Sequence, residues 1–327
     1  MKHISILVAN EAVMASITDP RYMFTAVNDF LVRAGREPMF KVELVGLSKD
    51  VLLNQGSFSV HADVLMKDVK KTDLIFVPAL SGDLKRSLEV NAEFMPWIVS
   101  QYENGAEVAS LCIGAFLLAS TGLLDGKKCS THWIYANEFR DMFPNVTLVD
   151  DRIITEEGGL YSSGGASSYW NLLLYLVEKY TDRQIAIFAS KFFAIEIDRK
   201  SQSPFIMFNG QKKHEDEPIK KAQEYIENNI TERITIDELA SKFAIGRRHF
   251  ERRFKKATNN TPVEYMQRVK IEAAKKQLET SNKNVSEVMY EVGYSDTKAF
   301  RTVFKKITGL SPVSYKSKYH KDAAVAI

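Results

Sequence analysis

The sequence predicts an α/β domain built on a parallel sheet, followed by an all-α domain. Three observations carry that prediction. Continuous apolar runs alternate with helical patterns through residues 1–205, no strand pattern follows a polar stretch near residue 210, and the charge changes sign across that stretch. A chain of 327 residues also favours two domains over one.

The runs "HISILVA" and "DLIFVPAL" are apolar throughout, as strands covered on both faces must be, and "KVELVGLS" reads as another strand. Between them lie the helical patterns "YMFTAVNDFLVRAG", closed by Gly35, and "AEFMPWIVSQYENG", closed by Gly105. "EVASLC" then makes a strand and "IGAFLLASTGLL" a helix over 113–123. Residues 146–162 read as a β-hairpin, and "SSYWNLLLYLVEKYT" and "RQIAIFASKFFAIE" as two closing helices. Strands alternating with helices give a flavodoxin-like sandwich for residues 1–205, helices on both faces of the sheet. The polar "NGQKKHEDEP" makes 206–217 a linker. From 218 to 320 every pattern is helical: "PIKKAQEYIENNI", "IDELASKFA", "RRHFERRFKKAT", "PVEYMQRVKIEAAKKQLETS", "VSEVMYEVG", "DTKAFRTVFKKIT" and "PVSYKSKY".

Composition narrows the function classes. Hydrophobic residues at 45% and charged ones at 26% are those of a soluble globular chain rather than a disordered one. Two cysteines, Cys112 and Cys129, are too few for a disulfide framework and suit a reducing cytoplasm. "MKHISILVAN" has no small-residue cleavage site, and no stretch reaches the roughly 20 apolar residues of a membrane span. Residues 1–210 hold 20 Lys and Arg against 25 Asp and Glu, a net of −5; residues 211–327 hold 24 against 16, a net of +8. A basic carboxy-terminal part on an acidic body points to a polyanion-binding module.

That module contains a repeat. "HFERRFKKATNNTPVEY", from His249, aligns with "AFRTVFKKITGLSPVSY", from Ala299, with eight identities in seventeen positions. Upstream, "IDELA" and "VSEVM" correspond at an offset of 49 rather than 50, so one residue is inserted in the second turn. Each copy is a short helix, a tight turn assigned to Gly246 or Gly293, and a second helix: the helix-turn-helix plan. Phe250 and Phe254, like Phe300 and Phe304, share a helix face and belong to a core. The opposite face of the first copy carries Arg247, Arg248, Glu251, Arg252 and Lys255, at the position that enters the major groove of double-stranded DNA. The helix between the copies is long enough for about 19 residues, or roughly 28 Å. A rod of that length holds two recognition helices about one DNA turn apart.

These residues resemble the AraC/XylS family of transcriptional regulators over about 218–318. The resemblance is strongest in "DELASKFAIGRRHFERRFKKATNNTPVEYMQRVKIEAAKKQL" and "VGYSDTKAFRTVFKKITGLSPVSY". It implies base reading by Arg248, Glu251 and Arg252 in the first unit and by Thr297, Lys298 and Arg301 in the second, with Lys305 among the DNA contacts. Gly246 stands where the family usually has a Ser or Thr N-cap, and Thr302 where it often has an arginine. The second unit is therefore expected to add less specificity. Contact with RNA polymerase is typical of the family, and a homodimer is favoured because linked DNA-binding arms gain affinity.

Residues 1–205 resemble the amidotransferase-like domain of the ThiJ/PfpI superfamily, in the form fused to AraC-type regions, through "LCIGAFLLASTGLLDGKKCSTHW" and "DRKSQSPF". The resemblance places Cys112 on a nucleophile elbow. A thiol at the start of the 113–123 helix is expected to have a lowered pKa, with Gly114 making room for the turn. Its partners are poor. Ser16 stands where the superfamily commonly has a carboxylate, with Glu11 and Asp19 as substitutes nearby in sequence. Ile113 replaces the histidine of peptidase-like members, and Pro78, Ala79 and Leu80 replace a glycine-bearing loop. His132 is the one plausible imidazole. The leading expectation is a non-catalytic effector pocket lined by Ser16, Cys112, Ile113 and His132, without metal or cofactor. By resemblance its effector is a small nitrogen-containing metabolite. The alternatives are a Cys112 that only fills the core, a redox-sensing Cys112, a domain that only dimerises, and a cysteine-dependent hydratase or amidase-like enzyme fused to a DNA-binding domain.

Overall fold

The first apolar run forms β1 (Lys2–Val8), with Ile4, Ile6, Leu7 and Val8 shut away from solvent. The computed structural model describes residues 1–320, which fall into two compact units, Met1–Gln202 and the part from Ser203 onward. In the first unit α1 (Ala15–Arg33) leads to β2 (Phe40–Gly46), which runs parallel to β1 with Ile4 opposite Val42. Next come a small hairpin of β3 (Asp50–Leu53) and β4 (Phe58–His61), then a short strand β5 (Val64–Leu65). Strand β6 (Leu74–Val77), fully buried, pairs with the other side of β1. Helices α2 (Leu84–Val90) and α3 (Phe94–Glu103) precede β7 (Glu107–Ser110). After β7 come α4 (Ala115–Ser120), β8 (Lys128–Cys129), α5 (Ala136–Met142) and β9 (Thr147–Leu148). The unit closes with β10 (Ile154–Glu157), β11 (Leu160–Ser163), α6 (Tyr169–Tyr180) and α7 (Arg183–Phe192).

The main sheet has the order β10-β11-β7-β6-β1-β2-β5, and every pair is parallel except β10 with β11. Helices α1, α6 and α7 pack together, and α2, α3 and α4 form a second group against β6 and β7. This is the expected α/β sandwich. It departs from the sequence reading in four places. Helix α1 starts at Ala15 and carries Pro20 inside it, at the cost of one backbone hydrogen bond. The 113–123 helix is instead a 3-10 turn, Cys112–Gly114, and the six residues of α4. The hairpin is only β10 with β11, because β9 pairs with β8 in a separate sheet. The β3–β4 hairpin gave no strand pattern because it covers little core: Leu52 and Phe58 point into solvent.

The second unit has the seven expected helices: α8 (Glu217–Asn228), α9 (Ile236–Lys242), α10 (Arg247–Thr258), α11 (Pro262–Thr280), α12 (Val285–Glu291), α13 (Thr297–Thr308) and α14 (Pro312–Tyr319). Capping boxes begin three of them, with Thr235 and Glu238, Thr261 and Glu264, and Asn284 and Glu287 satisfying the orphan N–H groups of α9, α11 and α12. The repeat holds in packing as well as in sequence. The Phe250–Phe254 and Phe300–Phe304 ring centroids are both 5.6 Å apart, and Phe254–Tyr265 and Phe304–Tyr315 are 5.3 and 5.4 Å apart. Tyr265 donates its hydroxyl hydrogen to Glu227 and Tyr315 to Glu279, so each copy ties its final tyrosine to an earlier helix, α8 in the first and α11 in the second.

One assignment in the turns changes. The left-handed residue of the second turn is Gly293, at φ +75°, but its counterpart in the first is Ala244, at φ +53°. Gly246 is instead the N-cap of α10, at φ −59°, and matches Asp296, the N-cap of α13. The one-residue insertion of the second turn lies between these two landmarks, which is why the sequence alignment paired the wrong glycines.

Candidate functional site

Helices α10 and α13 put their basic residues outward because their phenylalanines are drawn inward. Phe250, Phe254, Phe300 and Phe304 are completely buried, so the opposite faces stand in solvent. Arg247, Arg248, Arg252 and Lys255 are exposed on α10, with Glu251 half-buried beside them. Thr297, Lys298, Arg301 and Lys305 are exposed on α13. Their electrostatic states differ. Arg247 is held by Asp237 of α9 (2.9 Å) and reaches Glu251 (3.5 Å), while Lys255 faces Glu264 (3.8 Å). Arg248, Arg252, Lys298, Arg301 and Lys305 have no ion pair among the described residues. Arg248 and Arg252, one helical turn apart, therefore form the open cationic edge of the first unit. Asp296 caps α13 by accepting from Ala299 N–H (2.6 Å), whereas α10 has no side-chain cap.

The elbow lies at the carboxy-terminal end of β7. Cys112 takes a left-handed conformation, φ +54°, which a side chain adopts only under constraint. Its N–H donates to Ser163 Oγ (3.2 Å), and its carbonyl accepts from Thr131 Oγ1 (3.1 Å). Gly114 is needed for close approach: a Cβ there would sit 2.5 Å from the Pro78 carbonyl oxygen and 2.6 Å from that of Val77. Ser16 is fully buried; its Oγ donates to the Val13 carbonyl (2.6 Å) and accepts from Ala79 N–H (3.0 Å). Thus Cys112, Ile113 and Ser16 gather where β6 and β7 end, and Thr131 ties the neighbour of His132 to the elbow. The His132 ring itself faces Trp133 and Tyr135 and accepts from Ile134 N–H (3.2 Å).

The expected activation of the thiol is absent. Burial pushes Cys112 up to about 12, against a smaller downward pull from Ile113 N–H. The six-residue helix after it contributes too little to offset desolvation. Burial also holds His132 below the ordinary imidazole range. Of the substitute carboxylates, Glu11 accepts from Ser87 (2.6 Å) and faces Arg86 (3.2 Å), and Asp19 accepts from the Tyr169 hydroxyl (2.7 Å). Neither forms a hydrogen bond to the thiol among the described residues.

This strand, left-handed cysteine and short helix on a parallel sheet agree with a family match: the DJ-1/PfpI family model covers residues 2–179, more than half of the chain. The chain belongs to the DJ-1/PfpI family. Beyond that DJ-1/PfpI domain, a helix-turn-helix domain model matches residues 239–318. The chain is similar along most of its length to two HTH-type transcriptional regulators. With GbdR of Pseudomonas aeruginosa it shares 26% identity over 310 residues, 91% of this chain and 79% of that protein. With GlxA of Rhizobium meliloti it shares 22% over 314 residues, 95% and 94% of the two chains. The crystal structure of an AraC family transcriptional regulator from Pseudomonas putida matches with a TM-score of 0.50 and 21% identity, over 59% of this chain and 100% of that one, a likeness of fold. The chain thus joins a DJ-1/PfpI domain to an AraC-type helix-turn-helix domain, the make-up of a transcriptional regulator.

Within the DJ-1/PfpI domain, sequence reasoning passed over Tyr169. Its pKa is raised by burial first, then by Asp19 and by Cys112. The signal available was the tyrosine after "SGGASS", at the start of α6, but nothing in that pattern says which carboxylate it meets.

Proposed function

We propose that this chain is a cytoplasmic, sequence-specific regulator of transcription that reads two successive major-groove segments with α10 and α13, and that its DJ-1/PfpI domain is a non-catalytic effector-binding and dimerising module. The observation that carries the reading is the duplicated helix-turn-helix unit with open cations on matching faces, Arg248 and Arg252 in one and Lys298 and Arg301 in the other. The 19 residues of α11 span about 28 Å, close to one DNA turn. The effector pocket is assigned to Ser16, Cys112, Ile113 and His132, and RNA polymerase is the partner that the family resemblance implies. A homodimer is supported by an apolar face with exposed Tyr22 and Val32 on α1 and exposed Phe188 and Phe192 on α7; sedimentation of the full chain is its check.

The left-handed elbow at Cys112 is the feature that favours the enzyme reading. The protonated thiol, with no carboxylate or imidazole hydrogen-bonded to it among the described residues, weighs against that reading.

The decisive experiment selects a duplex from a random pool with the full chain, then measures affinity by fluorescence anisotropy across a salt series. Replacing Arg248 and Arg252 together by alanine should cost about 3 kcal/mol against the selected duplex and flatten the salt slope. The pair Lys298→Ala and Arg301→Ala should cost less discrimination, because Thr302 offers no base-reading guanidinium. Equal, weak binding to all sequences, unchanged in the first double variant, would refute sequence-specific reading.

A further inference from the structure

Residues 203–211 run along the DNA-binding unit and touch both helix-turn-helix copies. At one end, Ser203–Phe205 forms a 3-10 turn against α13. The Pro204 carbonyl accepts from the Tyr319 hydroxyl (3.4 Å), and Lys318 Nζ lies 5.3 Å from the Phe205 ring centre. In the middle, Lys275 of α11 donates to the Ile206 carbonyl (2.6 Å) and to Glu272 (2.8 Å), and Glu272 accepts from Phe208 N–H (3.1 Å). At the far end, the Phe208 ring stands 5.2 Å from Tyr265, at 76°, in the first copy. Gln211 is gripped twice: its carbonyl accepts from Gln223 (2.9 Å) and its side chain from Asn260 (3.2 Å).

The order of these contacts is regular. Ile206 meets residue 275, and Phe208 meets 272 and 265, so the segment descends α11 in the opposite direction. Residues 204–211 span about 26 Å if extended, nearly the length of the helix. Lys275 is 3% exposed. A buried ammonium is costly unless paired, and here its partners are the segment itself and the carboxylate that also holds it.

We propose that residues 203–211 are a splint. They fix the separation of the two recognition helices along α11. This rests on the DNA-binding reading above. The splint begins one residue after Gln202, which is buried in the first unit with its amide donating to the Thr131 (3.0 Å), Asp150 (2.9 Å) and Arg152 (3.2 Å) carbonyls. Thr131 is the residue that bonds the Cys112 carbonyl. The remaining anchor is Asp216, just past its far end, which takes a two-pronged grip from Arg253 of α10 (2.9 and 2.7 Å).

The test uses the full chain in two altered forms. One carries Lys275→Met with Glu272→Leu, which removes both central anchors without stranding a charge. The other has Gly-Ser-Gly-Ser inserted after Asn209, which leaves every side chain in place. Each is titrated with the duplex selected by the wild type, with a derivative whose half-sites are moved apart by about five base pairs, and with a single half-site. The wild type should lose about a hundredfold on the displaced half-sites. Both altered chains should lose about tenfold on the native spacing, show less than a tenfold spacing penalty, and bind the single half-site within about twofold of wild type. Wild-type spacing discrimination in both altered chains overturns the splint. Hydrogen exchange on the wild type decides it independently of DNA: the Phe208 amide should be protected, and exchange at the free-peptide rate across 206–211 overturns the proposal. A wild type that selects no sequence refutes the DNA-binding reading instead, while leaving the exchange result to judge the splint.

Discussion

At Cys112 the backbone and the side chain point to opposite conclusions. The left-handed φ of +54° is the strained geometry that presents a nucleophile, yet burial pushes the thiol up to about 12. At pH 8 such a thiol holds about a thousandfold less thiolate than one at the ordinary value of 9.0. Iodoacetamide should therefore label native Cys112 about a thousandfold more slowly than a free cysteine, with a rate that climbs with pH over the range in which the fold persists. Mass spectrometry of timed samples, with urea-unfolded chain as the reference, is the measurement. Labelling at the free rate near pH 7 would mean an accessible thiolate and revive the enzyme reading. Cys129, fully buried and likewise pushed up to about 12, should label no faster.

Among the elements, the two helix-turn-helix turns solve one problem with different residues. Gly293 takes the left-handed position without penalty, while Ala244 takes it with a Cβ that crowds the following carbonyl. Ala244→Gly should raise stability by about 1 kcal/mol, read as a higher urea midpoint at unchanged slope. A lower midpoint would show that the chain does not bear that strain. The repeat, the seven helices and the length of α11 were legible because amphipathic spacing and capping boxes are local signals. The short helix after Cys112 was not. "IGAFLLASTGLL" is apolar on every side, as a buried segment can be, and periodicity cannot locate the end of such a helix.

For the whole molecule, the proposed effector control would act by favouring one arrangement of the linked domains over another. Small nitrogen-containing metabolites, the class the family resemblance implies, are the ones to screen against the full chain by thermal unfolding. At a hundred times its Kd a true effector should add about 2.7 kcal/mol and raise Tm by a few degrees. His132→Ala should remove that shift. A shift that persists undiminished would place the pocket away from His132.

By itself the sequence determined the two-domain plan, the parallel α/β sandwich, the duplicated DNA-binding unit and the exposure of its cations. Each follows from a periodic pattern in which solvent and core are sorted residue by residue. Only the tertiary structure decided how charged and polar groups pair across distant parts of the chain. It tied Arg247 to Asp237 and left Arg248 and Arg252 open, gave Asp19 to Tyr169 rather than to Cys112, and set Lys275 beneath the 203–211 segment. Hydrogen bonds and ion pairs depend on separations of about 3 Å between residues far apart in sequence, and no local pattern encodes those separations.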